Sequence, residues 1–166
     1  MMNRADIVVR PLTPDDWDGI CKVYESAALL ERAESGLDRS PFTPLPEEEP
    51  KDTFFRINRA YVACDGPQIV GFVAWRDHDE WEGSGYVSWL YVAPRYHRHG
   101  IGTRLLSEAW PHLGAQAWTL AKPGNGPAIA LYKTFGMQVV CGDARHVRLA
   151  LPSSTKSDPT VPNFGG

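Results

Sequence analysis

The sequence is poor in cysteine, in long apolar runs and in net positive charge, and each shortage excludes a class of protein. Its three cysteines, Cys21, Cys64 and Cys141, are scattered and show no CxxC spacing, which argues against a disulfide framework or a zinc site. The N-terminal stretch has no apolar run long enough for a signal peptide or a membrane span. The net charge of −3 lacks the positive excess of a general nucleic-acid binder. We therefore expect a cytoplasmic protein with reduced thiols that binds neither nucleic acid nor membrane and holds no metal.

What is present is the composition of a folded domain. The chain has 166 residues, of which 43% are hydrophobic, and it contains six tryptophans, so it is long enough for a sizeable core. A Pro/Ser/Gly-rich stretch follows residue 151. We expect one domain over residues 1–151 and a C-terminal tail over residues 152–166.

Short apolar segments separated by turn residues predict a mixed α/β fold. Strands are expected over residues 6–10, 60–64, 69–76, 86–92, 117–121, 137–141 and 146–151. Helices are expected from Pro14, from Asp52 or Thr53 through Ile57, from Ile101 towards Leu113, and from Pro127 to a stop at Gly136. Residues 36–50 contain four prolines and three consecutive glutamates, so a long loop without regular structure is expected there.

One stretch, residues 85–113, organises the chain. Its apolar strand ends before Pro94, because proline has no N–H to give to a neighbouring strand. A basic turn with Gly100 and Gly102 follows, where the backbone can turn tightly and approach a ligand. The free N–H groups and the dipole at the start of the next helix favour an anion. The turn is therefore a candidate phosphate-binding site, although a GxG pair alone is equally compatible with an ordinary turn.

This turn does not match the two common nucleotide-binding motifs. A Walker loop needs GxxxxGK[ST], and no lysine follows these glycines. A dinucleotide fingerprint needs GxGxxG, but Leu105 stands where the third glycine would be. Binding of ATP or NAD is thus not expected.

Two other motifs do fit, and they occur in a fixed order. Val92-Ala93-Pro94 and Gly100-Ile101-Gly102 match V-x-P followed by [RQ]-x-x-G-x-[GA], except that His97 stands at the [RQ] position. Residues 125–137 match N-x-x-A-x-x-[LF]-Y-x-x-x-G-F, with Met137 in place of the final phenylalanine. In both motifs the chain resembles the GNAT family, the GCN5-related N-acetyltransferases. The resemblance is sharp over residues 87–137 and extends loosely over residues 5–151.

The resemblance implies a fold and an activity. The fold is α/β (α+β mixed), with a central, mostly antiparallel mixed sheet, splayed fourth and fifth strands, and helices on both faces. The activity is transfer of an acetyl group from acetyl-CoA to a primary amine by direct attack, without a metal. The acceptor is a small molecule, an amino acid or a peptide or protein amine, and the sequence leaves this choice open. A homodimer is also compatible with the family.

The same resemblance assigns cofactor-binding residues. The backbone of Leu90, Tyr91 and Val92 is expected to bind the pantetheine arm, and an N–H there to donate to the thioester carbonyl. The basic turn is expected to bind the pyrophosphate, through His97, Arg98, His99, Gly100, Ile101, Gly102 and Thr103. Asn125, Ala128 and Tyr132 on the last helix complete the set.

Tyr132 matches the family's tyrosine that protonates the departing thiolate. A phenol with an ordinary pKa of about 10 is protonated at neutral pH, so it can donate. The alternative is a core aromatic residue on an amphipathic helix, and within this motif we favour the catalytic role.

The general base and the acceptor pocket stay open. Asp79, Glu80 and Glu82 are candidate bases, but we favour the alternative that they form a polar hairpin tip. Many members of the family use ordered water to carry the proton away, so the role stays unassigned. Trp81, Trp89 and Tyr91 are candidates to stack on a cationic acceptor or, alternatively, are core residues. The second hypothesis is a non-catalytic acyl-CoA-binding or regulatory domain, because such a domain would also be compatible with His97 at the [RQ] position.

Overall fold

A seven-stranded sheet forms the centre of the protein. In the computed structural model, which describes residues 6–36, 41–77 and 84–152, its order is β1-β2-β3-β4-β5-β7-β6. The strands are β1 (Ile7–Pro11), β2 (Arg59–Asp65), β3 (Gln68–Arg76), β4 (Tyr86–Val92), β5 (Trp118–Ala121), β6 (Gln138–Gly142) and β7 (Val147–Ala150). All neighbours are antiparallel except β4 and β5, which are parallel. The predicted strands are confirmed. Of these, β2, β3 and β4 form an antiparallel meander before the basic turn with Gly100 and Gly102, which we call the glycine turn.

Helices cover both faces of this sheet, as expected. They are α1 (Trp17–Ser35), α2 (Leu45–Glu48), α3 (Lys51–Ile57), α4 (Ile101–Ala109) and α5 (Gly126–Thr134). Alternate residues of a strand point to opposite faces, so Val62 and Phe72 pack with α1, α2 and α3, whereas Ala63 and Val73 pack with α4 and α5. None of the helices in the described ranges has the length and apolarity needed to cross a membrane.

The two parallel strands separate soon after they meet. Pairing between β4 and β5 comprises Tyr86 with Trp118 and Val87 with Thr119. Farther along, Leu90, Tyr91 and Val92 pair with β3 on their other side. The carboxyl end of β4 is therefore not paired with β5. This separation of the two strands is the splay that the fold was expected to contain.

Two predictions differ from the structure, one for residues 36–50 and one for the residue that caps α3. The expectation of no regular element was wrong, because α2 forms over Leu45–Glu48. Pro44 is its N-cap and Pro46 lies in its first turn, where proline costs no intrahelical hydrogen bond. Likewise α3 is preceded by Pro50 as its N-cap, not by Asp52 or Thr53.

Some predictions fall outside the described residues. They concern residues 37–40 of the expected loop, the turn with Asp79, Glu80, Trp81 and Glu82, and the tail beyond Pro152.

The start of α1 is held by a buried carboxylate. Asp16 is 6% exposed, and its Oδ2 accepts the backbone N–H of Thr13 at 2.8 Å. Arg10 donates to both carboxylate oxygens, at 2.7 and 2.8 Å. The hydrogen bonds from Arg10, above all, lower the pKa of Asp16 from 3.8 to about 2. The charged form of Asp16 therefore stabilises the folded state.

Replacing Asp16 with asparagine is expected to lower the free energy of unfolding by about 1 kcal/mol at neutral pH. Because the pKa is lower in the folded chain, this contribution is present above pH 4 and is lost as the pH falls towards 2. Urea denaturation of both proteins at several pH values measures the difference. Asp18→Asn, an exposed change in the first turn of α1, is the control. A difference that stays constant down to pH 2 would contradict the role of the charge.

Candidate active site

A cavity of about 540 Å³ lies beside the splayed end of β4. We call it the first cavity. Its walls come from β4, the glycine turn, α1 and α5. Of the predicted cofactor-binding residues, it is lined by Leu90, Tyr91, Val92, His97, Arg98, Gly100, Ile101, Gly102, Thr103, Asn125 and Ala128. His99 and Tyr132 are not among its lining residues.

The glycine turn brings helix N–H groups to this cavity. Gly100 is the N-cap of α4 and has a φ of 76°, in the left-handed region that favours glycine. The following residues, Ile101, Gly102 and Thr103, form the first turn of the helix, where N–H groups have no intrahelical acceptor. A Cβ on Gly102 would lie 3.3 Å from Leu131 and 3.9 Å from Val92, which both line the cavity. The turn therefore combines free donors with little side-chain bulk.

His97 fixes the turn to the sheet although it departs from the family motif. Its Nε2 lies 2.7 Å from the carbonyl oxygen of Val92, so the ring donates an N–H there. A second anchor is the hydroxyl of Tyr96, which donates to Asp65 at 2.8 Å. Arg98, which follows these two anchors, has a φ of 67°, a conformation that costs a non-glycine residue energy. The imidazole at position 97 thus holds the turn against the end of β4.

A second cavity of about 400 Å³ adjoins the first. The two share Glu31, Leu90, Tyr91, Asn125 and Ala128 as lining residues. The second cavity is also lined by aromatic side chains, among them Tyr24, Tyr86, Trp89 and Tyr132. A ligand in one cavity would therefore lie next to a ligand in the other, across the splayed end of β4.

Tyr132 is a buried phenol on the wall of the second cavity. It is 4% exposed, and burial raises its pKa above the ordinary value of 10, opposed by a hydrogen bond with Thr119. Thr119 in turn donates to the carbonyl of Val87 at 2.8 Å. The phenol therefore keeps its proton at neutral pH, which is the state that a proton donor needs.

Asn125 connects two helices instead of standing alone in the cavity. Its Oδ1 accepts the N–H of Ala128 at 3.1 Å and caps α5. Its Nδ2 donates to Oε2 of Glu31 on α1 at 2.8 Å. The predicted pantetheine contact would have to be made by a side chain that also orients Glu31.

Glu31 was missed by the sequence interpretation. Helical spacing places it four residues after Ala27 and three after Ala28, on the buried face of α1. A carboxylate on an otherwise apolar helix face is the signal that would have found it. The candidate base residues Asp79, Glu80 and Glu82, by contrast, lie outside the described residues.

The basic residue Arg104 on α4 lines neither cavity, and its Nη1 donates to the carbonyl of Ile7 at 2.7 Å. Within the described ranges, no three His, Cys, Asp or Glu side chains group together as metal ligands would.

A polar network closes one side of the second cavity. Glu49 is 6% exposed and pairs with Arg76. Its Oε2 accepts Nδ2 of Asn58 at 2.7 Å and Nε1 of Trp89 at 3.2 Å. The hydroxyl of Ser88 donates to Oδ1 of Asn58 at 2.6 Å. Since Arg76, Ser88 and Trp89 line the cavity, this network joins the segment between α2 and α3 to the part of β4 that faces the second cavity.

Replacing Glu49 with alanine is expected to cost about 2 kcal/mol of unfolding free energy, because Arg76 loses its carboxylate partner and the half-buried side chains of Asn58 and Trp89 each lose a hydrogen bond. Chemical denaturation measures the loss. Glu47→Ala removes the same charge from an exposed position of α2 and should change stability by a few tenths of a kcal/mol. Equal effects for the two variants would show that the network is not stabilising.

The sequence is similar to known acetyltransferases. Residues 28–137 match the Acetyltransferase (GNAT) family. Mycothiol acetyltransferase of Thermobifida fusca (strain YX) is 32% identical over 123 residues, which are 68% of this chain but 36% of that protein. The chain therefore spans only part of that relative. The uncharacterized N-acetyltransferase YafP of Escherichia coli (strain K12) is 24% identical over 140 residues, covering 81% of this chain and 83% of that protein.

Solved structures share the fold. PaiA N-acetyltransferase from Thermoplasma acidophilum, in complex with coenzyme A, superposes with a TM-score of 0.74 at 16% identity, covering 89% of this chain and 99% of that one. The ribosomal-protein-S18-alanine N-acetyltransferase from Escherichia coli gives a TM-score of 0.64 at 18% identity, covering 88% and 93%. At such identities the likeness concerns the fold alone. With the sequence match over residues 28–137, it leads to one conclusion: the chain belongs to the GNAT acetyltransferase family.

Proposed function

We propose that the protein is an acetyl-CoA-dependent N-acetyltransferase that transfers an acetyl group to a primary amine by direct attack. The observation that carries the proposal is the pair of adjoining cavities at the splayed end of β4. One is bounded by the glycine turn, and the other contains a buried phenol.

The first cavity suits coenzyme A in three respects. The first turn of α4 offers N–H groups to a pyrophosphate, and Arg98 adds positive charge beside them. The absence of a Cβ at Gly100 and Gly102 lets the phosphates approach the backbone. The carboxyl end of β4, where pairing with β5 has ended, offers backbone groups to the amides of the pantetheine arm.

The chemistry requires a neutral amine beside the thioester carbonyl carbon and a proton donor beside the thioester sulfur. The amine nitrogen forms a bond to the carbonyl carbon, the carbon–sulfur bond breaks, and the sulfur leaves as a thiolate. Tyr132 donates its proton to this thiolate, for which its protonated state at neutral pH is suited. The proton lost by the amine must pass to a base or to water.

The second cavity is proposed to hold the acceptor. It presents aromatic rings together with the carboxylates of Glu31 and Glu48, which suits a primary ammonium group. The similar proteins include enzymes named for a ribosomal-protein alanine and for mycothiol. Both peptide N-termini and small-molecule amines are therefore candidate acceptors.

Two measurements test the proposal. Calorimetric titration with acetyl-CoA should show binding, and thiol release should rise when an accepted amine is added from a panel of small amines, amino acids and N-terminal peptides. Binding without release on any member of the panel would favour the non-catalytic acyl-CoA-binding alternative. Absence of binding would contradict both functions.

A further inference from the structure

One carboxylate lies where the two cavities meet. Among the Asp and Glu residues that the structure describes, Glu31 is the one that lines both the first and the second cavity. Glu34 lines only the first, and Glu48 only the second. In the proposed reaction, the junction of the cavities is where the acceptor nitrogen meets the thioester. Glu31 is therefore placed beside the reacting atoms.

A hydrogen bond holds Glu31 in position. Asn125 donates from Nδ2 to Oε2 of Glu31 at 2.8 Å, and the same amide caps α5 through the N–H of Ala128. Tyr132 stands on α5. The carboxylate on α1 is thus fixed with respect to the helix that carries the proposed proton donor.

The junction is electrostatically and chemically suited to a cation. Burial raises the pKa of Tyr91 well above its ordinary value, and the negative charges of Glu31 and Glu48 raise it further. The ring of Tyr24 lies 4.9 Å from that of Tyr91 and 5.4 Å from that of Trp89, both edge-on. Carboxylates beside aromatic faces attract an ammonium group, the form in which most primary amines exist at neutral pH.

We propose that Glu31 is the catalytic residue that binds the acceptor's ammonium group and removes its proton. The inference rests on the proposed function and deepens it. One nitrogen–hydrogen bond breaks, its proton passes to a carboxylate oxygen of Glu31, and the freed lone pair forms the new bond to the thioester carbon as the carbon–sulfur bond breaks. Tyr132 supplies a separate proton to the thiolate. The second proton that the nitrogen loses on becoming an amide passes through water and replaces the one that Tyr132 gives up. The acceptor is thereby defined as a primary amine that enters charged and is deprotonated in place.

Several other titratable groups surround Glu31, and the test must separate it from them. In the second cavity they are Tyr24 of α1, Glu48 of α2, Arg76 of β3, Tyr86 and Tyr91 of β4, Lys122 after β5, Tyr132 of α5, and His146 between β6 and β7. The first cavity adds Glu34 of α1 and, in the glycine turn, Tyr96, His97 and Arg98. A simple pH profile would mix these groups, so the decisive variable is the basicity of the acceptor.

The experiment compares wild type with Glu31→Gln on ethylamine, 2-fluoroethylamine and 2,2-difluoroethylamine, which are similar in size but decreasingly basic. Glutamine keeps an oxygen that accepts the hydrogen bond from Asn125 but cannot take a proton. With ethylamine, kcat/KM is expected to fall about a hundredfold. With 2,2-difluoroethylamine, which is already largely neutral at pH 8, the loss should shrink to less than about tenfold. Affinity for acetyl-CoA should stay within about twofold.

Two further variants complete the design. Glu25→Gln removes a charge from an exposed position of α1 outside both cavities and should match wild type. Glu31→Asp retains a carboxylate and should lose activity by a similar factor with all three amines. It also tests the proposal if the glutamine variant does not fold. A loss in Glu31→Gln that is equal for the three amines, or no loss, would overturn the role of Glu31. Failure of wild type on every amine would instead contradict the proposed function itself.

Discussion

Replacing Tyr132 with phenylalanine is expected to lower kcat by about a hundredfold or more, because the variant cannot protonate the leaving thiolate. The affinity for acetyl-CoA should change little, since Tyr132 does not line the first cavity. The phenyl ring keeps the buried volume, and loss of the hydrogen bond with Thr119 should cost about 1 kcal/mol of stability. Steady-state thiol release and calorimetry separate the two effects.

Tyr61→Phe is the matched control for this variant. Its hydroxyl also has a partner, His112 at 3.3 Å, but it lines neither cavity. Full activity of Tyr132→Phe would contradict the assigned role.

The pH profile of the wild type gives a separate test. Because burial raises the pKa of Tyr132, deprotonation of this phenol should not lower the activity of the wild type below about pH 10.

Replacing Gly102 with leucine is expected to weaken acetyl-CoA binding at least about a hundredfold while the protein stays folded. A Cβ at this position would lie 3.3 Å from Leu131 and 3.9 Å from Val92, so a larger side chain would occupy the wall of the first cavity. Leucine suits the helix better than glycine, and the nearest contact is the end of a flexible side chain. Calorimetric titration with acetyl-CoA measures the loss, and circular dichroism reports the fold.

Gly126→Ala provides the comparison, because a Cβ there would meet nothing within 4 Å. It should bind acetyl-CoA as the wild type does. Unchanged binding by Gly102→Leu would mean that coenzyme A does not occupy the first cavity. Equal loss in both variants would point to a general disturbance of the helices.

The centre of the fold could be predicted because local signals agree there. In residues 85–113 an apolar strand, a proline, two glycines and a helical apolar face all indicate strand, turn and helix. The structure has β4 and α4 at these places, with the left-handed Gly100 between them. The same agreement holds for α5, where Asn125 caps the helix and Gly136 follows it with a φ of 96°.

Other features depend on contacts that no local pattern carries. The short helix α2 is stabilised by burial of Leu45 and by the hydrogen bonds of Glu49, whose partners lie on β3, β4 and after α3. The position of Glu31 depends on Asn125, 94 residues later in the chain. His97 differs from the family motif but still fits the turn, because its ring contacts the carbonyl of Val92. This contact is visible only in the three-dimensional structure.

The sequence pointed to more of the residues that line the first cavity than of those that line the second. Most of the predicted cofactor-binding residues line one cavity because they come from two contiguous motifs. The second cavity draws on α1, α2, β3, β4, β5, α5 and the turn before β7. A set scattered in this way has no spacing to recognise, so the second cavity could be identified only from the structure.

The central claim is transfer of an acetyl group to an amine, and recovery of the labelled acetyl group tests it most directly. Wild type is incubated with acetyl-CoA carrying carbon-13 in the carbonyl and with the best amine of the panel, and the products are identified by NMR and mass spectrometry. The account predicts that the label appears in an N-acetyl amide, in amounts equal to the free coenzyme A released. Label that remains in acetyl-CoA, or that appears only as acetate, would contradict it.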